Sequence, residues 1–128
     1  MADVNRGNRP LSPHLQIYRP QLNSAMSIFH RITGVGMTLA AALIVWWLFA
    51  AASGPEAFAA ADAVLTSWIG LLILFGSTWA LVYHFGTGLR HLWMDMGYGY
   101  DIKLNDLVGQ IILVASGVLT LLIWFLAL

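Results

Sequence analysis

The sequence predicts an all-α integral membrane protein in which three transmembrane helices run up, down and up as one bundle. Two observations carry that expectation. Of 128 residues, 59% are apolar and only 9% charged, with a mean hydropathy of +0.76, whereas soluble domains carry about 25% charged residues. The apolar content is also concentrated, because 32–55, 63–89 and 107–128 contain no Asp, Glu, Lys or Arg. Each stretch exceeds the roughly 20 residues that an α-helix needs to cross about 30 Å of hydrocarbon. The chain reads as a single membrane-anchor domain, 1–128.

The N-terminal segment, 1–22, is rich in Arg, Asn and Pro and has no apolar run or small-residue cleavage site. It reads as neither a signal peptide nor a transit peptide, so the first membrane helix is expected to direct insertion. Helix one is expected over about 23–52, capped by Asn23 or Ser24 and closed by the Ser53-Gly54-Pro55 break. The Ala-rich stretch from Ala57 to Ala63 reads as a loop. Helix two is expected over about 63–96, between Asp62 and Gly97; about 34 residues span roughly 51 Å, so its last turns should stand in water. Helix three is expected over about 106–128, opened by Asn105 and Asp106, an N-cap followed by an acid that complements the helix dipole.

Basic residues set the expected orientation. Arg6, Arg9, Arg19 and Arg31 precede or begin helix one, and Arg90 and Lys103 lie between helices two and three, while the first loop holds only Glu56 and Asp62. An excess of Arg and Lys marks the cytoplasmic side, so the N-terminus should be cytoplasmic and the C-terminus periplasmic.

Composition also removes function classes. Six basic and six acidic side chains cancel, leaving no net charge to attract a nucleic acid. The chain has no cysteine, which excludes disulfides, thiolate zinc sites and iron-sulfur clusters held by this chain. Any metal must be held by His, Asp or Glu.

Histidine in a charge-free span is the sharpest anomaly. His84 lies less than two turns before Arg90 and needs a partner in that setting. A hydrogen bond to a neighbouring helix, axial ligation of a haem iron and a proton relay all fit a lone imidazole. Gly88, one turn on, leaves room beside the ring for a haem. Gly70, Ser77, His84 and His91 recur every seven residues, a small-to-polar stripe suited to a packed interior.

A second cluster opens helix one, where Ser27, His30 and Arg31 share a face at i, i+3 and i+4. These donors suit haem propionates or the carbonyl oxygens of a quinone; alternatively Arg31 snorkels to lipid phosphates. His91 is seven residues from His84, about 10.5 Å along the axis, too far to share one iron. If His84 binds haem, a second ligand from another chain is more economical. Arg90, His91, Asp95 and Tyr98 read as a solvated face, with partner docking or a haem carboxylate anchor as the functional alternative. The six tryptophans read as interface or packing residues. Gly34, Gly36 and Ala40 give the spacing for close helix contact.

Together these stretches resemble a known family. Arg9-Pro10-Leu11 with Leu15, the segment Ser12-Pro13-His14-Leu15-Gln16-Ile17-Tyr18, then Ser27-Ile28-Phe29-His30-Arg31-Ile32-Thr33, and His84-Phe85-Gly86-Thr87-Gly88-Leu89-Arg90-His91-Leu92-Trp93-Met94-Asp95-Met96-Gly97 are similar to the cytochrome b556 membrane anchors of succinate dehydrogenase, respiratory complex II. Both signature segments stand in the expected order and at the expected separation, with no departure from either motif. Helix three carries no signature.

The resemblance implies a haem b shared with a second small anchor subunit, with His84, in H-x-x-x-G-x-R-H, as axial iron ligand and the other axial histidine supplied by that subunit. It implies quinone binding by Ser27 and Arg31, in S-x-x-H-R, and propionate or pocket contacts from His30, Arg31 and His91. The implied assembly has four subunits. A flavoprotein oxidises succinate, an iron-sulfur subunit relays electrons, and two anchors in the lipid bilayer form the ubiquinone site. This chain would therefore be a subunit of the enzyme that takes part in quinone reduction without oxidising succinate, in a bacterial inner membrane. An anchor of a quinol:fumarate reductase is the nearest alternative, and a small transporter or channel subunit using His84 and Arg31 is a more distant one.

Overall fold

A computed structural model describes residues 18–127. The chain is helical along almost all of that length. Four helices follow in order: α1 Leu22–Ser53, α2 Pro55–Leu65, α3 Trp68–Asp95 and α4 Ile102–Ala127. Three of them, α1, α3 and α4, are long and apolar enough to cross a membrane. They form the expected up-down-up bundle, with the start of α1, the end of α3 and the start of α4 tied together at one end. At the other end Trp124 donates its indole N–H to the Thr78 hydroxyl at 3.2 Å.

The helix ends differ from the sequence expectation in four places. Gln21, extended and without a side-chain cap bond, precedes α1, and Asn23 is no cap because its side chain is engaged by other helices. The Ala-rich stretch is a helix, α2, rather than a loop. Alanine has the highest helix propensity, Pro55 suits the first turn, and Glu56 complements the dipole. The break before it needs Gly54, whose φ of +126° favours glycine.

Helix two of the sequence reading is interrupted at Thr66 and Ser67, so α3 starts at Trp68. There the Ser67 hydroxyl accepts from the Gly70 N–H at 3.1 Å, an N-cap that restarts the helix. Gly70 is required by the packing at this corner, because a Cβ would fall 2.3 Å from the Val64 carbonyl oxygen. Finally, α4 starts at Ile102, a turn earlier than expected. Asp101, not Asn105, is its cap, accepting from the Leu104 N–H at 2.9 Å.

Small and hydroxyl-bearing residues bring the helices together. Thr33, Ala80, Thr87, Ser116 and Thr120 are buried, and the hydroxyls return to carbonyls of their own helices. Such back-bonding satisfies a hydroxyl where the bilayer offers no water. The large apolar residues mostly face outward, among them Ile28, Val35, Leu81, Phe85, Val114 and Phe125, which suits lipid or another membrane helix.

Candidate functional site

Two copies of the pattern H-x-x-T face each other, His30 and Thr33 on α1 and His84 and Thr87 on α3. One helical turn places each pair on a common face, and the antiparallel packing crosses their partners. The His30 Nδ1 lies 2.7 Å from the Thr87 hydroxyl, and the His84 Nδ1 lies 3.2 Å from the Thr33 hydroxyl and 3.0 Å from the His30 carbonyl oxygen. The two rings stack with centroids 3.8 Å and planes 14° apart. His91 also packs against His30, centroids 4.8 Å and planes 37° apart, with its Nδ1 2.7 Å from the Thr87 carbonyl oxygen.

These contacts assign the ring protons. A carbonyl oxygen only accepts, so the Nδ1 of His84 and that of His91 must donate. The Thr87 hydroxyl has one proton, directed at the Tyr83 and His84 carbonyl oxygens at 2.9 and 3.0 Å. It therefore accepts from the His30 Nδ1. In the neutral ring a protonated Nδ1 leaves Nε2 with a bare lone pair. Among the described residues, no hydrogen bond engages the Nε2 of His84.

That arrangement fits a haem iron. A metal-ligating histidine commonly donates its other ring N–H to a carbonyl, which fixes the ring and makes the ligand more basic. His84 does this with the His30 carbonyl. A side chain at Gly88 would meet nothing within 4 Å, leaving open space one turn from His84. Gly34 lets α1 approach, since a Cβ there would lie 3.1 Å from the His84 Cε1. His30 and His84 stack face to face, too close to stand on opposite sides of one iron, and no group of three or more His, Cys, Asp or Glu among the described residues could hold a bare metal ion.

Ser27 and Arg31 flank this histidine face. Ser27 is half-buried and Arg31 exposed, and neither has a hydrogen bond to another described residue. The segments 9–11 and 12–17 lie outside the described residues.

Sequence reasoning missed Arg90. Expected on a solvated face, it is 7% exposed. Its Nε donates to the Asn105 Oδ1 at 2.8 Å and its Nη2 to the Asn23 Oδ1, while the Asn23 Nδ2 donates to the Asp106 Oδ1 at 3.0 Å. One guanidinium thus ties α1, α3 and α4. The signal was present as asparagines near the starts of two apolar spans. Tyr83 was also missed: it is 1% exposed, with its hydroxyl donating to the Met26 carbonyl oxygen at 3.1 Å. An apolar cavity of about 670 Å³ opens among Met37, Ala40, Ile44, Trp47, Leu74 and Leu81 and includes none of the predicted site residues.

Comparison with known proteins gives the family of the chain. The model of the succinate dehydrogenase/fumarate reductase transmembrane subunit family matches residues 5–123. The chain is 53% identical over 128 residues to the succinate dehydrogenase cytochrome b556 subunit of Paracoccus denitrificans, covering 98% of each chain. It is 39% identical over 116 residues to the protein of that name from Rickettsia conorii, covering 91% of this chain and 90% of the relative. The succinate dehydrogenase cytochrome b560 subunit of Reclinomonas americana is 37% identical over 122 residues, covering 91% of this chain and 85% of that one.

Proposed function

Because the chain belongs to the succinate dehydrogenase/fumarate reductase transmembrane subunit family, we propose that it is the haem b-binding anchor of a succinate:quinone oxidoreductase. Its place is a bacterial inner membrane, with the N-terminus cytoplasmic, where the basic residues lie. Family membership leaves the transporter reading without support. The observation that carries the proposal is His84, whose Nδ1 donates to the His30 carbonyl while no other described residue bonds its Nε2.

His84 would hold the haem iron from this chain. The stacked His30 is too close to be the second ligand, and by the resemblance to the family the second comes from another small anchor subunit, for which the outward apolar faces offer a packing surface. His30, Arg31 and His91 are the candidates to line the propionates. The haem, when bound, supplies a one-electron store beside the quinone.

The quinone is ubiquinone, bound at Ser27 and Arg31. The Ser27 hydroxyl and the Arg31 guanidinium both donate, so together they hold a carbonyl oxygen at a defined distance. The guanidinium favours negative charge as it develops on that oxygen during reduction. The chain has no cysteine for clusters of its own; by the family resemblance, electrons arrive through an iron-sulfur subunit docked at the cytoplasmic face, fed by a flavoprotein that oxidises succinate.

The test is a reduced-minus-oxidised visible spectrum of membranes containing the whole complex, comparing wild type with His84→Ala. A b-type band that disappears in the variant is expected. A band that survives His84→Ala would overturn the ligand assignment.

A further inference from the structure

We propose that Thr33 and Thr87 are positioning residues that set the tautomers and the orientation of His84 and His30, and through them the redox potential of the haem; this rests on the reading of His84 as its ligand. The crossed H-x-x-T pairs make the two hydroxyls equivalent in role. Each gives its single proton to a carbonyl of its own helix, Thr33 to Phe29 or His30 at 2.8 and 2.9 Å, Thr87 to Tyr83 or His84 at 2.9 and 3.0 Å. Each therefore meets the imidazole of the opposite helix with a lone pair, and each imidazole must answer with Nδ1–H.

Both threonines are buried, 4% and 1% exposed. No water competes for those lone pairs, so the tautomer is held by the fold and not by solvent. A hydroxyl oxygen as a second acceptor on the His84 Nδ1–H raises the electron density of the ring and favours ferric over ferrous iron, which lowers the potential. Thr87 acts one step removed. It anchors His30, which lies flat against His84 and so fixes the plane in which His84 meets the iron. Gly34, against the His84 Cε1, closes the cradle from the α1 side.

The test uses the assembled complex, with haem content from the optical spectrum, potential from a redox titration and ligand-plane orientation from the ferric EPR signal. Thr33→Val keeps the shape and removes the hydroxyl. It should raise the haem midpoint potential, and Thr33→Ser should restore it. Unchanged potential in haem-loaded Thr33→Val overturns the inference, as does equal loss of haem from both variants while succinate oxidation with a soluble dye persists.

Thr87→Val is the independent arm, and it stands whether or not the position-33 variants assemble. It should shift the ferric EPR signal, with Thr87→Ser returning it towards wild type; an unshifted signal overturns the crossed arrangement. A wild-type complex with no b-type band would overturn the ligand reading and this inference together. A band indifferent to both valine substitutions overturns this inference alone.

Discussion

His30 and His84 lie face to face, ring centroids 3.8 Å and planes 14° apart, although 54 residues separate them in the chain. The stack exists because α1 and α3 pack antiparallel with Gly34 at the crossing, where a Cβ would already press on the His84 ring at 3.1 Å. Each ring is held by a threonine of the other helix. The contact brings His30 of the first sequence cluster against His84 and His91 of the second.

Arg31 should separate quinone chemistry from succinate chemistry. It is exposed and bonds to no other described residue, so Arg31→Ala removes the proposed donor to the quinone without opening a hole in the bundle. A hydrogen bond from a charged group contributes about 1.5–3 kcal/mol, so quinone reductase activity should fall by roughly 10- to 100-fold. Succinate oxidation measured with a soluble dye should stay near wild type. Parallel loss of both activities would count against a quinone contact.

Arg90 should behave in the opposite way. Replacing it by Leu strips the half-buried Asn23 and Asn105 carbonyl oxygens of their donor; an unpaired acceptor costs about 1–3 kcal/mol when fully buried and less where water reaches it. Dye-coupled and quinone-coupled activity should decline together with the amount of assembled complex in the membrane. Arg90→Lys should recover only part, because an ammonium does not present donors in the guanidinium's fixed, divergent geometry. Wild-type complex levels in Arg90→Leu would show that the clamp is dispensable.

The corner between α2 and α3 should tolerate no side chain. At Gly70 a Cβ would stand 2.3 Å from the Val64 carbonyl oxygen, whereas at Gly76 it would meet nothing within 4 Å. Overpacking of this kind costs typically 1–3 kcal/mol, while Gly→Ala in open helix gains up to about 1 kcal/mol in propensity. Thermal inactivation of the complex should therefore come earlier for Gly70→Ala and be unchanged or later for Gly76→Ala. Equal midpoints would mean that the corner relaxes freely.

What was legible in the sequence followed from solvent and period. Three charge-free runs can be stable in a bilayer only as helices, because every backbone polar group must bond within its own segment. The helical period alone places Ser27, His30 and Arg31 on one face of α1 and His84, Gly88 and His91 on one face of α3, whereas the roles of these residues come from the family resemblance. The Ala-rich stretch was misread because a run of alanines is helix-forming in itself, yet looked like the remainder between two spans.

Only the tertiary structure decided what those faces meet. The proton on each imidazole depends on an acceptor from another helix, and the stack of His30 on His84 depends on how closely Gly34 lets two helices cross. Arg90 illustrates the same limit: its charge was plain, but whether it faced water or two asparagines depended on where Asn23 and Asn105 come to rest. Local sequence sets the period of a helix and the chemistry of each face, whereas the rotation of one helix against the next is a property of the packed bundle.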